Sequence, residues 1–341
     1  MNRMIGMRSP KISLCYMFAW SVVALLGLGG IGCSVEAQDA IHRPWPTLQQ
    51  AIGDLSRLSA QQRVAFEHDD AFFELMREPR GNDWLAKHSE EGQTVPEYLA
   101  RLPQLKPHST QKLLAVLPLG NFGVESPSLE ALQAYASAFF GMETRLMKAI
   151  QIEQVPAKRR LHPVTQHKQV LTTDILAWMP GQKTAETYAM LAVTMEDLYP
   201  QESWNYVFGQ ALLSGGAGVF SFARYHPAFL PGELVPPAMS DLDHRLMLKR
   251  SAKVLSHEMT HMFGLQHCVF YECLMNGSNH LAETDSRPMH LCPVCLRKLH
   301  AAVGMNLESR GEALLAFYLK HGFSSEAEWT LRRLEKLRAA K

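Results

Sequence analysis

The strongest chemical signal in the sequence is five residues long: His257-Glu258-Met259-Thr260-His261. On an α-helix each residue turns by about 100°, so residues four apart lie about 40° apart on one face, one turn from each other. Both imidazoles can then reach one metal ion. Glu258 falls in the same arc but offset, where it can address a water at the metal rather than the metal itself. After Met262-Phe263-Gly264-Leu265-Gln266 comes His267. A helix that simply continued would carry His267 out of reach. Gly264 tolerates positive φ, so it can end the helix and turn the chain back, and His267 becomes a third ligand. Two His and a Glu at this spacing can arise by chance on a solvated helix. A Gly and a His at fixed offsets, each at about 5% usage, cut that chance a few hundredfold. Three neutral His leave the charge of zinc uncompensated and one position open, an arrangement that lowers the pKa of a bound water toward about 7. The chemistry that follows is hydrolysis of a carbonyl compound. Glu258 takes the proton of the water and passes it to the leaving amine, while zinc stabilises the oxyanion. The pattern names no second electrophile; Tyr225 and Arg224 are the candidates, with core or surface roles the favoured reading for both.

Cys268 follows the third His directly, Cys273 comes next, and Cys292-Pro293-Val294-Cys295 closes the set. Two close pairs separated by a loop match a four-cysteine structural zinc site. Four thiolates fill the coordination shell, so this second zinc would not be catalytic. It would pin the segment after His267 to the segment around Cys292. Two other readings stand beside it. The four could form two disulfides in an oxidising compartment. They could also be a nucleic-acid-binding ribbon, against which the loop between the pairs carries Glu283 and Asp285 as well as Arg287.

These side chains need elements to hold them. The chain has 341 residues, 47% hydrophobic and 20% charged, which is ordinary globular composition with enough length for a sizeable core. Net charge is +1, so no broad field draws a polyanion, and a nucleic-acid partner is not expected. Residues 1–37 read as a targeting segment: Arg3, Arg8 and Lys11, an apolar run from Ile12 to Leu28, glycines, then Val35-Glu36-Ala37. That predicts export to a periplasmic or secreted location. The alternatives are an uncleaved membrane-spanning segment or a lipid anchor at Cys33, although Gly30 stands where a lipobox usually has Leu. No other membrane contact is expected. Residues 38–110 read as a helical N-terminal extension without cysteine, either a prosegment over the cleft or a permanent part of the fold. Residues 111–305 read as the catalytic domain. Within it the patterns predict a buried strand at Leu113–Leu117, a helix from Ser128 to Ile150, strands at 170–178 and 189–196, and a strand-turn-strand over 204–212 and 218–225. A long helix from Asp241 to about Phe263 carries the first two His, with Asp241 and Asp243 suited to its N-terminus. Residues 306–341 read as C-terminal helices broken at His321-Gly322. Strands and helices mix, so the class is α+β or α/β, and the chain is expected to be a monomer.

The pattern His257-Glu258-x-x-His261-x-x-Gly264-x-x-His267-Cys268-x4-Cys273-x-Met275, followed by Cys292-x-x-Cys295, resembles the signature of the archaemetzincins, a branch of the metzincin zinc peptidases. Cys273 to Leu281 and Leu291 to Leu296 are similar to the post-zinc segment of animal-type members. Val116-Leu117-Pro118-Leu119-Gly120 is similar to their opening strand, and Asp83-Trp84-Leu85 with Gly92-Gln93-Thr94 to their N-terminal extension. The resemblance implies a metzincin fold: a twisted, mostly parallel sheet, a backing helix, and an antiparallel edge strand lining the cleft, here expected at Gly218–Tyr225, where a peptide adds by β-augmentation. It implies that Glu258 is the general base, that His257, His261 and His267 bind the catalytic zinc, and that Cys268, Cys273, Cys292 and Cys295 bind a second zinc. It implies a peptide or small-protein substrate. A Met shortly after the third His, here Met275, suits the methionine turn beneath the zinc, although a lone Met is commonly core filler. The expected activity is that of a zinc metallopeptidase. A catalytically silent protein that binds peptides in the same cleft is the other reading, which an intact Glu258 disfavours.

Overall fold

Leu113–Leu119 is apolar throughout, and a strand stays dry along such a run when both of its faces are covered. The computed structural model, which describes residues 14–16, 45–105, 107, 110–212, 216–226, 229 and 239–341, places it in the interior of a mixed sheet. The strands are β1 (Leu14–Tyr16), β2 (Leu113–Leu119), β3 (Glu143–Leu146), β4 (Arg159–Leu161), β5 (Lys168–Leu171), β6 (Thr187–Thr194), β7 (Asp197–Tyr199), β8 (Gly209–Leu212) and β9 (Ala217–Ser221). The helices are α1 (Leu48–Ile52), α2 (Ala60–Phe66), α3 (Trp84–Lys87), α4 (Val95–Leu105), α5 (Leu129–Phe140), α6 (Thr172–Trp178), α7 (Asp241–Met262), α8 (Leu281–Ser286), α9 (Pro293–Val303), α10 (Leu307–His321) and α11 (Ser324–Ala339).

The main sheet has the order β1-β8-β9-β6-β2-β3. β3, β2, β6 and β9 run parallel; β8 is antiparallel to β9, and β1 is antiparallel to β8. Alternate residues of β2 enter two cores. Leu114 and Val116 pack with Leu132 and Tyr135 of α5 and Leu255 and Met259 of α7. Ala115, Leu117 and Leu119 pack with Ile175 and Leu176 of α6 on the other face. A small sheet, β4-β5-β7, stands apart. α10 and α11 form a hairpin against α5 and α2.

Several expectations needed correction. The helix from Ser128 ends at Phe140, because Gly141 takes a left-handed cap (φ 60°), and residues 143–146 then pair in parallel with β2. Of 170–178, most is α6: Ile175, Leu176 and Met179 are buried at helical spacing. Residues 204–206 are irregular, with Arg160 taking the carbonyls of Trp204 and Asn205 that a ladder would need, and Val207 makes only an isolated bridge to Leu198. Gly218–Tyr225 is not the edge strand. β9 ends at Ser221 and lies between β6 and β8, so β8 is the antiparallel strand on its outer side. The helix break at His321-Gly322 and the long helix over α7 stand as expected. Apart from Leu14–Tyr16, the targeting segment and its Cys33 lie outside the described residues. Among the described residues no helix is long and apolar enough to cross a membrane.

Candidate metal centres

α7 begins at Ser240, whose hydroxyl accepts from the Asp243 amide while the Asp243 carboxylate accepts from the Ser240 amide, a reciprocal cap. It packs under β6, β8 and β9 and ends at Met262. Gly264 has φ 82°, the left-handed turn the sequence called for, and the chain doubles back so that His257, His261 and His267 converge. One nitrogen from each lies within 4.8 Å of the others. The outward-facing nitrogens fix which ones these are. His257 Nδ1 lies 2.8 Å from the Leu274 carbonyl and His261 Nδ1 lies 2.6 Å from the Leu265 carbonyl. A carbonyl only accepts, so each Nδ1 carries the proton and each Nε2 presents a lone pair. His267 Nδ1 likewise lies 2.7 Å from Glu90 Oε1. The Nε2 atoms of His257 and His261 stand 3.0 Å apart. Two lone pairs at that distance repel unless a cation lies between them. Zn–N bonds of about 2.0–2.1 Å put the nitrogens of a tetrahedron about 3.3 Å apart. The donor set fits zinc. Burial first, then the neighbouring His261 and His267, push His257 well below its ordinary value, which keeps it a neutral ligand.

Glu258 is buried beside the triad, and its Oε1 has no hydrogen-bond partner among the described residues. Burial raises its carboxyl above the ordinary glutamate range, against the pull of His261 and His267. The two electrophile candidates separate. Arg224 is committed elsewhere: its Nε and Nη2 each donate to Asp197 at 2.7 Å, and its guanidinium lies 3.3 Å over the Tyr206 ring. Tyr225 is buried next to α7, and its hydroxyl has no partner among the described residues. Its phenol is held well above 10, by burial first and then by the charge of Glu258.

The four cysteines are buried and free, with their Sγ atoms within 4.8 Å of one another. Cys268 and Cys292 Sγ are 3.6 Å apart. A disulfide needs about 2.05 Å, whereas Zn–S bonds of about 2.3 Å put tetrahedral sulfurs about 3.8 Å apart. The amides of Met275 and Cys292 both point at Cys273 Sγ, at 3.4 and 3.3 Å. The four thiols titrate against one another. Burial, then the other three sulfurs, push Cys292 well up, while at Cys268 burial is outweighed by hydrogen bonds from the other three, which push it well down, so four thiolates together need a cation among them. The tetrad therefore fits zinc rather than disulfides. A third group, Asp83, His280 and Glu283, does not fit a metal. His280 Nδ1 already accepts from the Glu283 amide, and the Glu283 carboxylate is taken up by the amides of Trp84 and Asn279 and by Arg287.

Sequence reasoning missed the acceptors behind the histidines. Two are backbone carbonyls, which no residue type announces. The third, Glu90, is 177 positions before its partner in an acidic stretch like many others.

A family model for peptidase family M54 matches residues 183–301, a stretch holding all three His and all four Cys. Archaemetzincin-2 of Rattus norvegicus is 34% identical over 290 residues, covering 77% of this chain and 81% of that protein. Archaemetzincin-2 of Homo sapiens is 34% identical over 256 residues, covering 69% and 71%. The solved archaemetzincin of Methanopyrus kandleri is 28% identical and covers 58% of this chain and 98% of that one, with a TM-score of 0.42. By the family model and the two mammalian relatives, the chain belongs to the archaemetzincins, peptidase family M54, and is a zinc metallopeptidase.

Proposed function

We propose that His257, His261 and His267 hold the catalytic zinc, that Glu258 is the general base, and that Cys268, Cys273, Cys292 and Cys295 hold a second, structural zinc. The observation that carries the reading is the convergence of three lone-pair nitrogens, each with its tautomer set from behind, next to a buried carboxylate with an oxygen to spare. Zinc, when bound there, polarises a peptide carbonyl and acidifies a water. Glu258 accepts the proton of that water and carries it to the leaving nitrogen. The buried Tyr225 hydroxyl, near enough to Glu258 to feel its charge and with no partner among the described residues, is the candidate for a second group at the carbonyl oxygen.

The arrangement is metzincin-like, with α5 backing the sheet and Met275 buried in the turn whose preceding carbonyl, Leu274, holds His257. The substrate is a peptide or small protein lying extended along β8. The antiparallel pairing of the Leu14–Tyr16 backbone with that edge supports β-augmentation as the binding mode. The basic and then apolar N-terminus supports export.

Glu258→Ala is the direct test. It is expected to retain both zinc ions and lose peptide cleavage by a factor of about 10²–10⁴ in kcat. Cleavage at wild-type rate with both metals present would rule out Glu258 as the base.

A further inference from the structure

Two of the three histidines are fixed by the helix that carries them. His267 is not, because it stands in irregular chain after Gly264. What holds it comes from far away in sequence. Glu90 Oε1 accepts from His267 Nδ1 at 2.7 Å and from Trp84 Nε1 at 2.9 Å. The Trp84 indole stands edge-on to the His267 ring, with centroids 5.2 Å apart at 81°. It sits against Gly277, where any Cβ would lie 2.4 Å from the indole. Trp45 Nε1 donates to the Glu90 carbonyl at 2.9 Å, fixing its backbone as well. The neighbouring residues clasp the turn that leads to His267. Gln93 donates to the Gly264 carbonyl and accepts from the Gln266 amide, both at 3.2 Å, and Tyr98 donates to the Phe263 carbonyl at 2.8 Å. Lys298 in turn donates to the Gln93 carbonyl.

We propose that Glu90 is the positioning carboxylate of the metal centre. It sets the tautomer of His267, raises its basicity, and makes the N-terminal extension a built-in part of the zinc site rather than a removable prosegment. The inference rests on His267 being a zinc ligand. Its physical content is charge as well as geometry. His257 and His261 are backed by neutral carbonyls, and His267 alone is backed by a carboxylate. Three neutral imidazoles around a dication leave the site at +2, and a half-buried anion one hydrogen bond beyond a ligand offsets part of that, more strongly than it would in bulk water. Removing such a partner costs about 10–100-fold in metal affinity.

The test uses full-length protein and Zn2+ in competition with a chromophoric chelator, with the visible spectrum of the Co2+-substituted protein as a second readout. Glu90→Gln keeps an acceptor for His267 and Trp84 but loses the charge; Glu90→Ala loses both. Affinity at the histidine site is expected to fall about tenfold in the first and toward about 100-fold in the second. The histidine-site Co2+ bands should shift, and the cysteine-site zinc should stay in place. His267→Ala is the control for the underlying reading. If it loses the histidine-site metal while both Glu90 variants bind like wild type, the proposal is overturned and the ligand reading stands. If His267→Ala itself binds like wild type, the ligand reading falls and takes the proposal with it. Loosening of both metals together in Glu90→Gln, with a matching drop in Tm, would mark a merely structural role and also overturn the proposal.

Discussion

Cys295→Ser tests whether the two metal sites are mechanically one. Cys295 lies in the first turn of α9, while the Nδ1 partners of the triad are Leu274, Leu265 and Glu90. Its effect on catalysis travels through the sulfur tetrad, beside the separate clasp that Lys298 of the same helix makes through Gln93. The 3.6 Å Cys268–Cys292 separation is within about 0.2 Å of the tetrahedral edge expected for zinc thiolate. Zinc binding at such sites is worth about 10–16 kcal/mol in apparent folding free energy, as much as the net stability of a whole domain, about 5–15 kcal/mol. Packing between Cys268 and Cys295 cannot make up a sizeable part of that loss. What is then released includes the Leu274 carbonyl, one residue past Cys273, which holds the proton-bearing side of His257 at 2.8 Å. It also includes the Met275 carbonyl, which accepts from the Cys268 amide at 2.8 Å and so anchors the chain just past His267. Loss of an outer partner lowers metal affinity about 10–100-fold, so the catalytic zinc of Cys295→Ser is expected to dissociate in that proportion more readily. The assay is stepwise zinc release to a chelator, with metal per chain by elemental analysis and kcat/KM at each step. A variant holding one zinc at wild-type affinity, with wild-type kcat/KM, would refute the coupling. So would wild-type protein carrying one zinc and no free thiols, because disulfides would then hold the segment.

The two electrophile candidates should part in opposite directions. Arg224→Ala leaves the buried Asp197 without its bidentate, half-buried partner and is expected to lower stability by about 2–3 kcal/mol in urea unfolding while the folded fraction keeps its kcat. Tyr225→Phe is expected to keep stability and zinc content and to lower kcat about 100-fold, the scale of one lost oxyanion donor; unchanged kcat would return Tyr225 to the core. Lys253 supplies a pH signature away from the metals. Its ammonium is buried against the Thr284 and Asp285 carbonyls, and burial above all pushes its pKa down to about 8, below the unfolded value of about 10.4. The unfolded chain therefore binds more protons between those values, and folding gains stability as pH rises through them. Wild type is expected to gain about 2 kcal/mol over Lys253→Met between pH 7.5 and pH 10. A flat difference across that range would place the lysine in an ordinary solvated setting.

Legibility followed the range of the interactions. α7, its acidic cap, the Gly264 turn and the cysteine spacing are all written within a few residues, so pattern and geometry could be read together. β2 was legible because the five apolar residues Leu113–Leu117 in a row admit few fates, although the strand runs on through Pro118 to Leu119. Errors arose where a distant partner decides. Ser128–Ile150 continues an apolar pattern past Phe140, but the open edge of β2 captures 143–146 as a strand. Whether 209–212 or 217–221 lies outermost depends on which neighbour each one finds, and both are short and apolar. The role of Arg224 depends on Asp197, 27 positions before it.

The N-terminal extension was illegible in its composition for the same physical reason. A prosegment and a permanent part of the fold differ in what their polar groups touch, not in which residues they contain. Here the contacts are specific at four successive points of the catalytic chain: Phe263, Gly264, Gln266 and His267 each bond to Tyr98, Gln93, Gln93 and Glu90 in turn. A cover that must leave for activity would be expected to block the open ligand position from the substrate side. Glu90 instead lies behind His267, on the Nδ1 side away from the converging Nε2 atoms. From that side it can tighten the metal without touching the substrate.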